Sequence, residues 1–304
     1  MSNAKEINRK IKSIKNTGKI TRAMELISTV KMKKAQDLAL EKQEFVLEIL
    51  KVFLRVEEYL DDYPLFDANR PGKTLAVVVT SNKGLCGGYN INVMKKVNQY
   101  VTDNPEEELD FIAVGKKAAS FVARTGNNLI ADFSEEFSDN IEALFTKRIS
   151  KMMRDEFMSE KYNKVVVFYN HYVNTIKQIP VAKTHLPINA AEIKKYLTHF
   201  VEDSYDLETE LGVNDDTHFY DIEPSNEEVA NEVIPIILDM IFYDTLLEAK
   251  ASEHSSRMIA MKNAKDSAKR IADELTLKYN KARQAMITRE VSEITAGVES
   301  LKDA

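Results

Sequence analysis

The chain has 304 residues, of which 44% are hydrophobic and 30% charged, and a formal net charge of −6. This is the composition of a folded protein of one large or two ordinary domains, and no apolar run approaches the roughly 20 residues that cross a bilayer. A single cysteine excludes an internal disulfide and suits a reducing compartment, while only nine Gly and seven Pro favour long elements with few turns.

The first residues lack the apolar core of a secretory signal. Within 1–36, ten Lys and Arg face only Glu6 and Glu25. Residues 1–60 contain no proline and one glycine, Gly18, and predict an N-terminal coiled-coil helix with Asn3 and Glu6 as its capping box. From Ala35 a heptad stripe runs through Leu38, Lys42, Phe45, Ile49, Val52, Val56 and Tyr59. Traced backwards it passes Ile7, Ile14, Thr17, Thr21, Met24, Ser28 and Lys31, which are far less apolar.

Residues 73–220 change to an α/β pattern. Strands are predicted at 74–81, 111–115, 129–133, 164–172 and 178–187, and helices at 91–102, 116–124 and 139–161. Alternating strands and helices predict a Rossmann-like domain of mostly parallel strands. Its first strand leads into "SNKGLCGGYN" (81–90), a glycine-rich turn where such domains cradle phosphates. The loop lacks the Lys-Ser/Thr of a P-loop and the spacing of a dinucleotide fingerprint. Gly84, Gly87 and Gly88 equally suit a sharp turn and a close approach of helix to strand. Residues 198–220 predict an acidic surface segment; from 196 to 249 there are 15 Asp and Glu and no Lys or Arg.

After Pro224, Ser225 and Glu228 form a second capping box and open a C-terminal coiled-coil helix over 225–302, with a kink expected at Pro235. Its stripe is Met258, Met261, Ala264, Ala268, Ile271, Leu275, Tyr279, Ala282 and Met286. At 1.5 Å per residue the two terminal helices reach roughly 90 and 110 Å, so an antiparallel coiled coil is expected, with the longer helix overhanging.

Candidate chemistry is sparse. The five histidines are dispersed and no Cys/His spacing suits zinc, so no metal site is expected. No nucleophile motif is present, and no catalytic or cofactor-binding residue is assigned. The basic N-terminal helix lacks interleaved aromatics, and no nucleic-acid partner is expected.

"EINRKIKSIKNTGKITRAMELISTVKMKKAQ" (6–36) and "EHSSRMIAMKNAKDSAKRIADELTLKYNKARQAMITREVSEITAGVESL" (253–301) resemble the terminal signatures of the ATP synthase gamma subunit. The 81–90 loop is similar to the family's internal loop, with Asn82 and Lys83 where Asp and Arg are more frequent. The resemblance implies a non-catalytic central-stalk rotor without cofactor. It would turn inside a ring of three alpha and three beta subunits, above an epsilon subunit and a c ring. It also implies peripheral association with the cytoplasmic face of a bacterial plasma membrane. Met24 would meet the beta subunits at a collar, and Arg283, Gln284 and Thr288 a beta-subunit loop. Tyr220 and Glu223 would form the foot on the c ring and epsilon. An enzyme using the 81–90 loop as a phosphate site, and a passive coiled-coil tether, remain alternatives from the residues alone.

Overall fold

The computed structural model describes residues 2–302 except 42, 58–59, 61–62, 200–222 and 224. Two compact units are distinguished: residues 1–29 with 257–304, and residues 30–256. Helix α1 (Ser2–Leu40) and helix α7 (Asn226–Lys302) each contribute to both.

In the larger unit, five strands form one sheet in the order β3-β2-β1-β4-β5. They are β1 (Lys73–Val79), β2 (Leu109–Val114), β3 (Asn128–Asp132), β4 (Tyr162–Tyr172) and β5 (Gln178–Leu186). All neighbours pair parallel except β5, which joins β4 antiparallel at the edge. The central strands are buried on both faces, which explains why β1 is a nearly unbroken apolar run. Ala76 and Val78 face helices α3 (Tyr89–Asp103) and α4 (Lys116–Thr125). Leu75, Val77 and Val79 face the larger core. Helices α2 (Gln43–Val56), α5 (Ala143–Met158) and α6 (Ala190–His199) cover that side together with the first part of α7.

The helix expected over 1–60 is in two pieces, α1 and α2, with a turn at Glu41. In α2 the buried positions are Val46, Leu47, Ile49, Leu50, Phe53 and Val56, so Ile49 and Val56 of the predicted stripe are buried, while Phe45 is 53% exposed. Those positions form a face wider than the two-position seam of a coiled coil, as in a helix lying on a globular core. The helix expected from 139 starts only at Ala143, because Ser138, Asp139 and Asn140 direct their polar groups to other partners in a loop. Helix α7 opens as its capping box predicts, with the Glu228 amide donating to Ser225 Oγ at 3.2 Å. It continues as helix through Pro235, whose carbonyl accepts from Arg154.

The smaller unit is an antiparallel helix pair. Gly18 lies beside Ala268, and Lys265 Nζ is 2.7 Å from Glu25 Oε2. Buried positions of this unit on α1 are Ile11, Thr21 and Ser28, and on α7 they are Arg257, Met261, Ala268 and Ala272. One half of the predicted α1 stripe, at 14, 21 and 28, therefore lines the seam. The other half is displaced by one residue: Thr17 is exposed and Gly18 takes its place. Likewise Ala272 is buried where Ile271 was expected.

The tight helix–strand approach falls at Gly115, between β2 and α4. It has φ +110°, and a Cβ there would stand 2.2 Å from the Thr80 carbonyl oxygen. Gly115→Ala should lower the stability of the unit by about 3 kcal/mol or more, measured by urea unfolding. A loss under about 1 kcal/mol would show that the strands separate easily.

His185 on β5 is buried against Phe242, and its Nε2 has no hydrogen-bond partner among the described residues. Burial, aided by the charges of Lys183 and Arg154, pulls its pKa down to about 3. The unfolded chain then binds a proton below pH ~6.5 that the folded chain refuses, so stability falls as pH drops toward 3. His185→Phe should remove about 2 kcal/mol of the loss between roughly pH 7.5 and 5 in urea titrations. Identical pH dependence in both proteins would contradict a neutral buried imidazole.

Candidate functional site

In an open α/β sheet the ligand crevice lies at the carboxyl ends of the strands where the strand order reverses, here between β1 and β4. The 81–90 loop stands there. Its polar groups are turned on one another: the Ser81 amide donates to Asn90 Oδ1 at 3.0 Å, Ser81 Oγ to the Lys83 carbonyl at 2.6 Å, and Asn90 Nδ2 to Cys86 Sγ at 3.2 Å. Leu85 and Gly87 make the sharp turn with φ of 63° and 58°. Gly84 meets nothing within 4 Å, so it makes no close approach.

Residues 248–255 of α7 bond to groups at this end of the sheet. The Tyr89 hydroxyl donates to the Ala249 carbonyl at 3.0 Å, and Asn170 Nδ2 to the Tyr89 carbonyl at 2.9 Å. His171 Nδ1 lies 2.8 Å from Glu248 Oε2, and Ser255 Oγ donates to the Thr175 carbonyl. Tyr196 hydrogen-bonds Asp244. Burial, then the Glu248 carboxylate, pushes the Tyr169 hydroxyl far above the usual phenol range. A long helix thus bonds to the end of the sheet at which a related fold would hold a dinucleotide.

Asp139, Glu253 and His254 bring three metal-ligating atoms within 4.8 Å of one another. Two ammonium groups serve the same carboxylate: Lys31 Nζ at 2.5 Å and Lys250 Nζ at 3.7 Å from Asp139. Lys250 also lies 3.2 Å from Glu253, so the cluster carries its own cations. The neighbouring His254, then Lys31 and Lys250, hold the Asp139 carboxyl well below the usual carboxylate range.

The sequence-predicted contact residues fall at separate levels. Met24 is half-buried on α1, and its carbonyl accepts from Ser28 Oγ. Arg283, Gln284 and Thr288 are exposed on α7, with Thr288 Oγ1 donating to the Gln284 carbonyl. Counting from Lys265, which pairs with Glu25, Arg283 is 18 residues or about 27 Å along the helix from the level of Met24. The structure does not bring these two groups together. Glu223 is exposed just before α7, and Tyr220 lies outside the described residues.

Two features escaped the sequence reading. Ile287, Val291, Ile294 and Val298 form an exposed apolar stripe at heptad spacing, beyond the point where the predicted stripe stopped. Between the helices of the smaller unit, Gly18, Ala268 and Ala272 floor a groove of about 440 Å3. Lys15, Lys19, Arg22, Lys265 and Lys269 line it against only Asp266 and Asp273. Among the described residues no helix is long and apolar enough to cross a membrane.

A family model described as ATP synthase matches residues 3–301. The ATP synthase gamma chain of Roseiflexus sp. is 35% identical over 314 residues, covering 100% of both chains. That of Nitrosomonas eutropha is 36% identical over 307 residues, covering 99% of this chain and 100% of the relative. In fold, the chain matches one from the Euglena gracilis mitochondrial ATP synthase (OSCP/F1/c-ring, rotational state 3). The TM-score is 0.65 at 16% identity, over 99% of this chain and 95% of that one. A chain from the Tetrahymena thermophila mitochondrial ATP synthase central stalk and c-ring gives a TM-score of 0.57 at 24% identity, over 81% of this chain and 99% of that one. The sequence aligns along its whole length with gamma chains, and the chain belongs to the ATP synthase gamma chain family.

Proposed function

We infer that this chain is the central-stalk rotor subunit of an ATP synthase and is itself non-catalytic. Ion flow through the membrane c ring turns it inside a ring of three alpha and three beta subunits. Its rotation then drives the catalytic sites on the beta subunits through ATP synthesis or hydrolysis. The reading is carried by the whole-length kinship with gamma chains. Helix α1 and the C-terminal part of α7, paired in the smaller unit, act as the shaft, and the 73–220 domain, with α2 packed on its core, as the base beside epsilon and the c ring. Bacterial relatives support peripheral attachment at the cytoplasmic face of a bacterial plasma membrane.

A rotor inside a ring must meet three similar surfaces in turn, and coupling requires that its contact energy differ between orientations. The basic groove and collar around Met24 suit acidic loops of the ring, which electrostatic complementarity steers and registers. Arg283, Gln284 and Thr288 are assigned to a beta-subunit catch; their exposure on the helix surface supports this. Glu223, with Tyr220, is assigned to the foot on the c ring and epsilon. The exposed stripe from Ile287 to Val298 calls for an apolar surface around the helix tip.

The chain should co-purify with alpha and beta subunits as a complex holding one copy of it, and failure to associate would overturn the reading. Arg283→Ala with Gln284→Ala should weaken assembly by about 2 kcal/mol, roughly thirtyfold, while the isolated chain keeps its thermal midpoint. Unchanged affinity and unchanged ATP-driven rotation would remove these residues from the catch. A phosphate-binding enzyme is the competing reading. Calorimetry of the isolated chain with ATP should give no heat of binding at micromolar concentrations, because the polar groups of the 81–90 loop are engaged within the protein and α7 bonds to this end of the sheet. Micromolar affinity would favour the enzyme.

A further inference from the structure

The loop between β3 and α5 gathers side chains from both long helices within the larger unit. Asp139 Oδ2 is 2.5 Å from Lys31 Nζ of α1, and Oδ1 is 3.2 Å from His254 Nε2 of α7. Lys34 Nζ donates to Asn140 Oδ1 at 3.1 Å. Lys250 Nζ sits 3.9 Å above the Phe137 ring. Lys250, Glu253 and His254 are each at most 4% exposed, so these polar groups are held away from water and depend on one another. Asp139 is the member that joins α1, α7 and the α/β domain.

Behind the loop stands the glycine-rich turn. Asn82 Nδ2 donates to the carbonyls of Ser134 at 2.9 Å and Phe137 at 2.7 Å. Its Oδ1 accepts the Lys116 amide at the start of α4, at 2.8 Å. One amide side chain therefore links the end of β1, the first turn of α4 and the loop that carries Asp139. The turn placed where phosphate would be cradled is a strut.

We propose that Asp139 is a positioning residue that clasps α1 and α7 to the α/β domain, braced through Asn82 by the 81–90 turn, so that rotation is passed between domain and helices without slack. This deepens the rotor reading and rests on it for its consequence, though the clasp itself does not. An uncharged side chain at 139 takes the carboxylate from the buried Lys250 and His254, which loosens that side of the cluster, and from the half-exposed Lys31, whose pairing contributes less. Cys86, buried in the braced turn and the only thiol of the chain, reports on that loosening.

The test uses the full chain carrying Asp139→Asn, Asp139→Glu or Lys31→Met. In the isolated chain, Asp139→Asn should raise the rate of Cys86 labelling by a small thiol reagent about tenfold or more, with Lys31→Met intermediate and Asp139→Glu near wild type. In the reconstituted synthase, Asp139→Asn should lose ATP-driven ion pumping per ATP hydrolysed while hydrolysis persists, and Asp139→Glu should recover it. Wild-type labelling rates in both Asp139→Asn and Lys31→Met overturn the clasp. Faster labelling with pumping per ATP unchanged overturns its role in transmission. Should the wild-type chain fail to assemble, the rotor reading falls and the clasp is decided by Cys86 labelling alone.

Discussion

Everything in the larger unit depends on where α7 lies. Its residues 248–255 cross the carboxyl ends of β1 and β4, held by Tyr89, His171, Thr175 and Asp139. The strand order β3-β2-β1-β4 is the one that nucleotide-binding domains use, and the first turn is rich in glycine. The same end of the sheet that would hold a ligand is used to seat a helix 77 residues long. A fold that elsewhere binds cofactors is here the hub of a mechanical part.

The polar chemistry follows from that choice. A helix seated on strand ends meets unsatisfied carbonyls and turn amides, so its contact face carries Lys250, Glu253, His254 and Ser255 as well as apolar residues. Lys250 and His254 face Asp139, Ser255 donates to the Thr175 carbonyl, and Glu253 pairs with Lys250 on the helix itself. Farther along, in the smaller unit, the seam changes to Gly18, Thr21, Ser28, Ala268 and Ala272. Small residues bury less apolar area per contact than Leu or Ile, which fits a pair of helices supported also from outside.

Much of this was legible in the sequence. The Val-rich run of β1, the capping box at Ser225 and the 3.5-residue stripe around Met261 and Ala268 come from local patterning, which backbone geometry enforces. The break at Glu41 was not legible, because α1 and α2 are both good helix sequences and only the burial of Val46, Leu50 and Phe53 in the sheet core separates them. Helix α6 passed unnoticed because it is short and its anchors, Ile193, Leu197 and the Tyr196–Asp244 hydrogen bond, are set by tertiary contacts. Gly115 stood at the end of a predicted strand, yet its need for a bare α-carbon arises from Thr80, 35 positions away. The clasp at Asp139 joins residues more than a hundred positions apart, and pairs of that kind leave no periodic trace. The catch and foot residues were reached by resemblance alone, since an exposed Arg or Thr on a helix carries no local signature of its partner.

The most direct measurement attaches an optical probe to the α/β domain of this chain in a surface-fixed complex with its alpha and beta subunits and supplies ATP. The account predicts unidirectional rotation of the probe in three equal steps per turn. A probe that stays fixed while ATP is hydrolysed at the full rate would contradict it.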